Sequence, residues 1–109
     1  MAYSEDLADR IREIIGFRDG VTERKMFGGI AWMIHGNMAV GIAKEEFIVR
    51  VGPDEREELL AQPGVGEMAF NGPPLKGFVK VAETHLDDEE ELTRWIDSGA
   101  DFAASMPEK

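Results

Sequence analysis

Apolar positions in the first part of the chain recur at helical spacing. Leu7, Ile11, Ile14 and Ile15 fall at i, i+4, i+7 and i+8, one stripe on one helix face. Ser4 stands where an N-cap belongs, Glu5 and Asp6 suit the positive end of the helix dipole, and Gly16 suits the C′ position. A helix is predicted over about residues 4–16.

The period then shortens. Ile30–His35, Met38–Ala43 and Glu46–Val51 are runs of strand formers separated by Gly36-Asn37 and Lys44-Glu45, which predicts an antiparallel meander with two-residue turns. In the last run Phe47, Val49 and Val51 alternate with Glu46, Ile48 and Arg50, so one sheet face is strongly apolar. Pro53 opens a short acidic helix, Asp54–Leu60, that stops before Pro63-Gly64. Residues 62–77 read as a Gly/Pro-rich loop around a short strand at Glu67–Phe70, and Phe78–Val81 as a last strand. Asp87 or Asp88 caps a final helix whose Leu92, Trp95, Ile96, Gly99 and Ala103 share a face and which ends at Met106-Pro107. The expected fold is a two-layer α+β domain over residues 1–109. Its antiparallel β-meander sheet has N-terminal, middle and C-terminal helices packed on it.

Composition narrows the function. The 109 residues, 43% of them hydrophobic, suffice for a core without staples, and no cysteine is present for disulfides, thiolate metal sites or cysteine nucleophiles. The acidic start Met1–Asp6 is unlike a signal peptide, and charges interrupt every apolar stretch, so a cytoplasmic location away from the membrane is expected. The net charge is −10, unevenly spread: residues 83–109 hold nine acids against Arg94 and Lys109, whereas residues 10–50 hold seven basic residues against five acids. Strong nucleic-acid binding by the whole chain is disfavoured, although a local basic face remains open.

Candidate chemistry is sparse. Arg24-Lys25-Met26-Phe27-Gly28-Gly29 is either a glycine turn able to hold an anion or a tight turn between strands, and no phosphate-loop pattern surrounds it. His35 and His85 are the only imidazoles, 50 positions apart. His35 precedes a turn. His85 has Glu83 and Asp87 near it, without a recognised metal-ligand spacing. Asp87–Glu91 suits a solvated helix start. Neither a catalytic residue nor a cofactor or metal site stands out. Alternation puts Trp32 and Met33 on opposite sheet faces, so one of them is exposed or covered by a partner if one face is wet.

Several of these segments carry a likeness. Lys25-Met26-Phe27-Gly28-Gly29, Gly36-Asn37-Met38, the strand Phe47–Val51, Asn71-Gly72-Pro73-Pro74, Lys76-Gly77-Phe78-Val79 and the helix with Leu92 and Trp95 resemble the N-terminal domain of TfoX/Sxy proteins, regulators of natural competence. The resemblance spans about residues 4–104. It implies an α+β domain without catalysis, acting in transcriptional regulation through protein partners. The family motif maps onto Met26, Phe27, Gly28, Gly29, Lys76, Gly77 and Phe78. Full competence regulators carry a second, helical domain that these 109 residues do not include.

The leading expectation is therefore a non-enzymatic interaction domain that binds a protein partner or itself. Its surface is expected to include Trp32 or Met33, with Arg24 and Lys25 at the rim, and Trp32→Ala is expected to weaken binding while leaving the fold. One alternative is direct nucleic-acid binding through Arg18, Arg24, Lys25 and Lys44. The other is a small enzyme using the Gly28-Gly29 turn and a histidine.

Overall fold

The computed structural model describes residues 5–26, 29–43, 46–68, 77–82 and 85–107, with only the backbone described at Met26. Helix α1 runs Glu5–Ile15; of the predicted stripe Leu7, Ile11 and Ile15 are buried and Ile14 partly so, and Ala8 is buried with them. The Gly16 amide closes it by donating to the Arg12 carbonyl at 2.9 Å. The N-cap assigned to Ser4 lies outside the described residues.

Strand β1, Val21–Met26, leads into the meander: β2 is Gly29–Ile34, β3 Asn37–Ala43 and β4 Glu46–Arg50. Helix α2 spans Pro53–Leu60, then come β5 at Val65–Glu67, β6 at Phe78–Val81 and α3 at Glu89–Ser105. The six strands form one antiparallel sheet in the order β1-β2-β3-β4-β6-β5. The expected α+β class and the helix-on-sheet packing are what the chain adopts.

The β2–β3 turn and the short strand after α2 differ from the sequence reading. The β2–β3 turn is His35-Gly36, not Gly36-Asn37; both residues have positive φ, 50° and 85°, the left-handed pair that a tight hairpin requires. Asn37 is instead the first residue of β3, buried, with its Nδ2 donating to the Pro107 carbonyl at 2.9 Å. The short strand near residue 67 is Val65–Glu67, two positions earlier than expected; of the rest of its expected span Met68 is not in the strand and residues 69–70 are outside the described residues. The Lys44-Glu45 turn also lies outside them.

The core occupies one side of the sheet. Ile30, Trp32, Ile34, Val40, Ile42, Phe47, Val49, Val79 and Val81 meet α1 and α3 through Ile11, Ile15, Leu92, Trp95, Ile96 and Ala100. Helix α3 lies on β2, β3 and β4, with α1 against it. Gly99 permits that close approach: a Cβ there would stand 2.5 Å from the Ala39 carbonyl oxygen. The Asp88 side chain accepts from the Glu90 amide at 3.0 Å, so Asp88, of the two candidates, caps α3. Helix α2 buries no residue, and only Leu59 and Leu60 pack partway on the core. It covers the β5–β6 end and not the centre of the sheet.

Candidate functional site

Alternation and register sort the singled-out residues onto two faces. On β1 and β2 the pairs Glu23–Trp32 and Lys25–Ile30 belong to the helix side, whereas Arg24–Ala31 and Thr22–Met33 belong to the outer side. A bulge between Trp32 and Met33 leaves Ala39 as the extra residue of β3, so Met33 pairs with Met38 and Trp32 with Val40. The four residues expected at an interaction surface are thus split. Arg24 and Met33 share the outer face, while Lys25 and Trp32 are on the other.

Trp32 is core. It is 1% exposed and its Nε1 donates to Glu23 Oε1 at 3.1 Å. The expectation that Trp32→Ala spares the fold is therefore corrected: both the indole volume and its polar handle are used internally. Of the Trp32-or-Met33 alternative, Met33 is the partly exposed member.

Glu23 had no marker in the sequence, yet it joins three elements. Arg12 of α1 donates to it from Nε at 2.7 Å and from a terminal nitrogen at 3.0 Å, beside the Trp32 bond. The Arg12 hydrogen bonds hold the Glu23 carboxyl below its ordinary value of 4.5, against a smaller opposing effect of burial. A depressed folded pKa adds stability that is complete above the unfolded value and is lost as pH falls through the folded one. Glu23→Gln should therefore unfold with a smaller difference in Tm between pH 7 and pH 3 than the parent. An unchanged acid slope in thermal melts would remove Glu23 from that role.

The family motif is only partly within view. Phe27, Gly28 and Lys76 lie outside the described residues, and Met26 contributes backbone alone. Gly29 opens β2 against β3, where a Cβ would collide with the Ile42 carbonyl oxygen. The Gly77 carbonyl accepts from the Val51 amide at 2.9 Å. Phe78 follows on the outer face, paired with Arg50. At Gly29 and Gly77 the motif positions therefore join strand to strand.

The cations of the nucleic-acid alternative are not brought together. Arg18 is held by Asp97 at 3.0 Å and Asp101 at 2.9 Å on α3. Burial lowers its pKa, but those two hydrogen bonds outweigh it and raise the value above the ordinary one. Arg24 and Lys25 point to opposite faces, and Lys44 is outside the described residues. The histidines are equally dispersed. His35 sits exposed on its hairpin, with the imidazole against Gly20. His85 Nδ1 lies 2.7 Å from Glu91 Oε2 and its ring packs on Gly64, while Glu83, also expected near it, is outside the described residues. The Gly64 contact ties the turn before α3 to the α2–β5 loop. A cavity of about 440 Å³ at the β4, β6 and β5 end of the sheet is lined by Glu46, Gly64, Val65, Gly66, Lys80, Val81 and Ala82, and neither histidine lines it. Its two charges already satisfy each other, Lys80 Nζ to Glu46 at 2.9 Å. Among the described residues no three His, Asp or Glu side chains converge to hold a metal ion.

What remains is the outer face. Ile48, Ala43 and Met68 form a second buried apolar cluster there, with Met38 and Phe78 packed half-exposed against it. Arg50 lies over the Phe78 ring, its guanidinium carbon 5.2 Å from the ring centroid. Burial pushes the Arg50 pKa down, and its Nε is sealed from solvent without an acceptor. Sequence alternation on β4 already placed Arg50 opposite Phe47 and Val49; its neighbours came only with the register. Phe17, 80% exposed in the turn after α1, was also unmarked by any pattern.

Among the described residues no helix is long and apolar enough to cross a membrane. Searches of curated proteins and of solved structures returned no match. The family model of the TfoX N-terminal domain matches residues 13–103, from the last turn of α1 to the last turn of α3, and so takes in every strand of the sheet, α2 and most of α3. The order of elements, the strand-joining glycines and that match agree: the chain belongs to the TfoX N-terminal domain family.

Proposed function

We propose that the protein is a non-enzymatic interaction domain of the cytoplasm that acts in transcriptional regulation, competence included, by binding a protein partner through the outer face of its sheet. Membership of the TfoX N-terminal domain family supports the regulatory role. The observation that carries the surface is the half-exposed row Met33, Met38 and Phe78 on the face that α1 and α3 leave free. Adaptable methionines around an aromatic ring are the side chains that partner surfaces favour. The whole chain, residues 1–109, serves as one domain in this reading.

The test is a mass-resolved pull-down with the purified protein, run beside its sedimentation. Met33→Glu puts a charge at the β2 end of the row, on the face away from the helices, and should reduce capture of a specific partner at least tenfold, with an unchanged circular dichroism spectrum. Undiminished capture by Met33→Glu would move the surface elsewhere. A protein that captures nothing would overturn the reading.

A further inference from the structure

We propose that the outer face between Met33 and Phe78 docks an apolar segment of a partner protein that carries one carboxylate, with Arg50 as the receptor for that carboxylate; this rests on the interaction-domain reading above. The argument begins with charge pairing. Arg10, Arg12, Arg18 and Arg56 each have a carboxylate oxygen within 3.0 Å. Arg50 is half-buried as they are or more so, yet it has no carboxylate among the described residues. Scarcity does not explain this, because the chain holds 22 acidic residues against 12 basic ones. A guanidinium with a sealed, unbonded Nε pays part of its hydration without return. A carboxylate meeting its accessible terminal nitrogens would supply a strong, geometrically matched partner.

The surroundings decide what brings the carboxylate. Phe78 holds the guanidinium from one side at 5.2 Å, and the adaptable side chains Met33 and Met38 lie along the same face. Arg24, which also has no carboxylate among the described residues and lies on that face, is three strands away, roughly 14 Å at ordinary strand spacing. One unpaired cation beside apolar side chains, with Lys80 and Glu46 of the same face already paired to each other, suits a single carboxylate on an apolar segment. Nucleic acid needs several phosphate contacts at once, and the net charge of −10 repels any polyanion. A two-fold contact with a second copy, its axis passing at Arg50, would set two Arg50 side chains against each other.

The experiment uses two synthetic probes, acetyl-Leu-Leu-Glu-Leu-amide and its Gln counterpart. They are titrated into the full chain while NMR follows the arginine Nε–H and methionine methyl signals. The Glu peptide should move the Arg50, Met33 and Met38 signals and bind at least tenfold more tightly than the Gln peptide. Arg50→Met should erase that preference, and Arg50→Lys, which keeps the charge and loses the fork, should reduce it severalfold. Equal binding of the two peptides to the parent, or shifts confined to other residues, overturns the proposal. So does a single-stranded oligonucleotide that moves the same signals more strongly, or a parent dimer that Arg50→Met dissolves. A partner captured equally by the parent and by Arg50→Met overturns this inference alone. Loss of both capture and peptide preference in the parent overturns the interaction-domain reading with it.

Discussion

Trp32→Ala should lower stability by about 3–5 kcal/mol, the range for deleting a large buried aromatic side chain. In a domain of this size that corresponds to a fall in Tm of roughly 15–30 °C. The size of the effect follows from where the indole lies. It is among the largest fully buried side chains, between Glu23 of β1 and Val40 of β3, on the face covered by α1 and α3. Removing it leaves a cavity under the helices and takes one donor from Glu23, which still keeps its two bonds from Arg12. Trp32→Phe retains most of the volume and should cost less than half as much. Thermal melts of the two variants make the comparison. If Trp32→Ala melts within about 5 °C of the parent, the indole is not the core element described, since so small a shift is about 1 kcal/mol.

Gly29→Ala should cost at least about 3 kcal/mol, the upper end of overpacking effects, and the variant is expected to be largely unfolded at 37 °C. The added methyl would meet the Ile42 carbonyl oxygen and the backbone beyond it, which no rotamer change can move aside. Relief requires β2 and β3 to separate where Ile30 pairs with Ile42 at the edge of the core. The effect decides what this motif position does. A folded Gly29→Ala that has lost partner binding would make Gly29 part of the binding surface; an unfolded one assigns it to the β2–β3 pairing. Circular dichroism and a denaturant titration on the same sample separate the two.

The elements that were legible carry a local mark: an apolar periodicity or, for α2, a first-turn proline. The α1 stripe, β4 with Phe47 and Val49, α2 behind Pro53, and α3 from Leu92 to Ala103 all match. Strand β1 had no such mark, because three of the six residues in Val21–Met26 are charged. It is an edge strand, and an edge tolerates, even benefits from, charged side chains that discourage pairing with other chains. The β2–β3 turn was misplaced by one residue because Gly36-Asn37 has good turn chemistry by itself. Its partner at positive φ is His35, a residue type that enters the left-handed region less readily than glycine.

The candidate surface was half legible for the same kind of reason. Alternation alone separates Trp32 from Met33 and Arg24 from Lys25, so the existence of two faces follows from the order of residues. Which face the helices cover does not. That depends on α3 packing across β2, β3 and β4, a set of contacts between residues more than forty positions apart. The Glu23–Arg12–Trp32 junction, the His85–Glu91 contact and the stacking of Arg50 on Phe78 are likewise meetings between separate elements.

By itself, then, the order of residues determined the class of fold, the positions of most helices and strands, the acidic balance and the family. Fold class, element positions and charge rest on local spacing and on totals, which a linear chain displays directly; the family rests on the likeness of its motifs and on the model match over residues 13–103. Only the tertiary structure decided that Trp32 is core, that Arg18 is neutralised by α3, and that Arg50 is a half-buried cation left without a carboxylate among the described residues. Burial and charge pairing are properties of distance in space. They are set when the helices choose one side of the sheet, and no spacing along the chain records that choice.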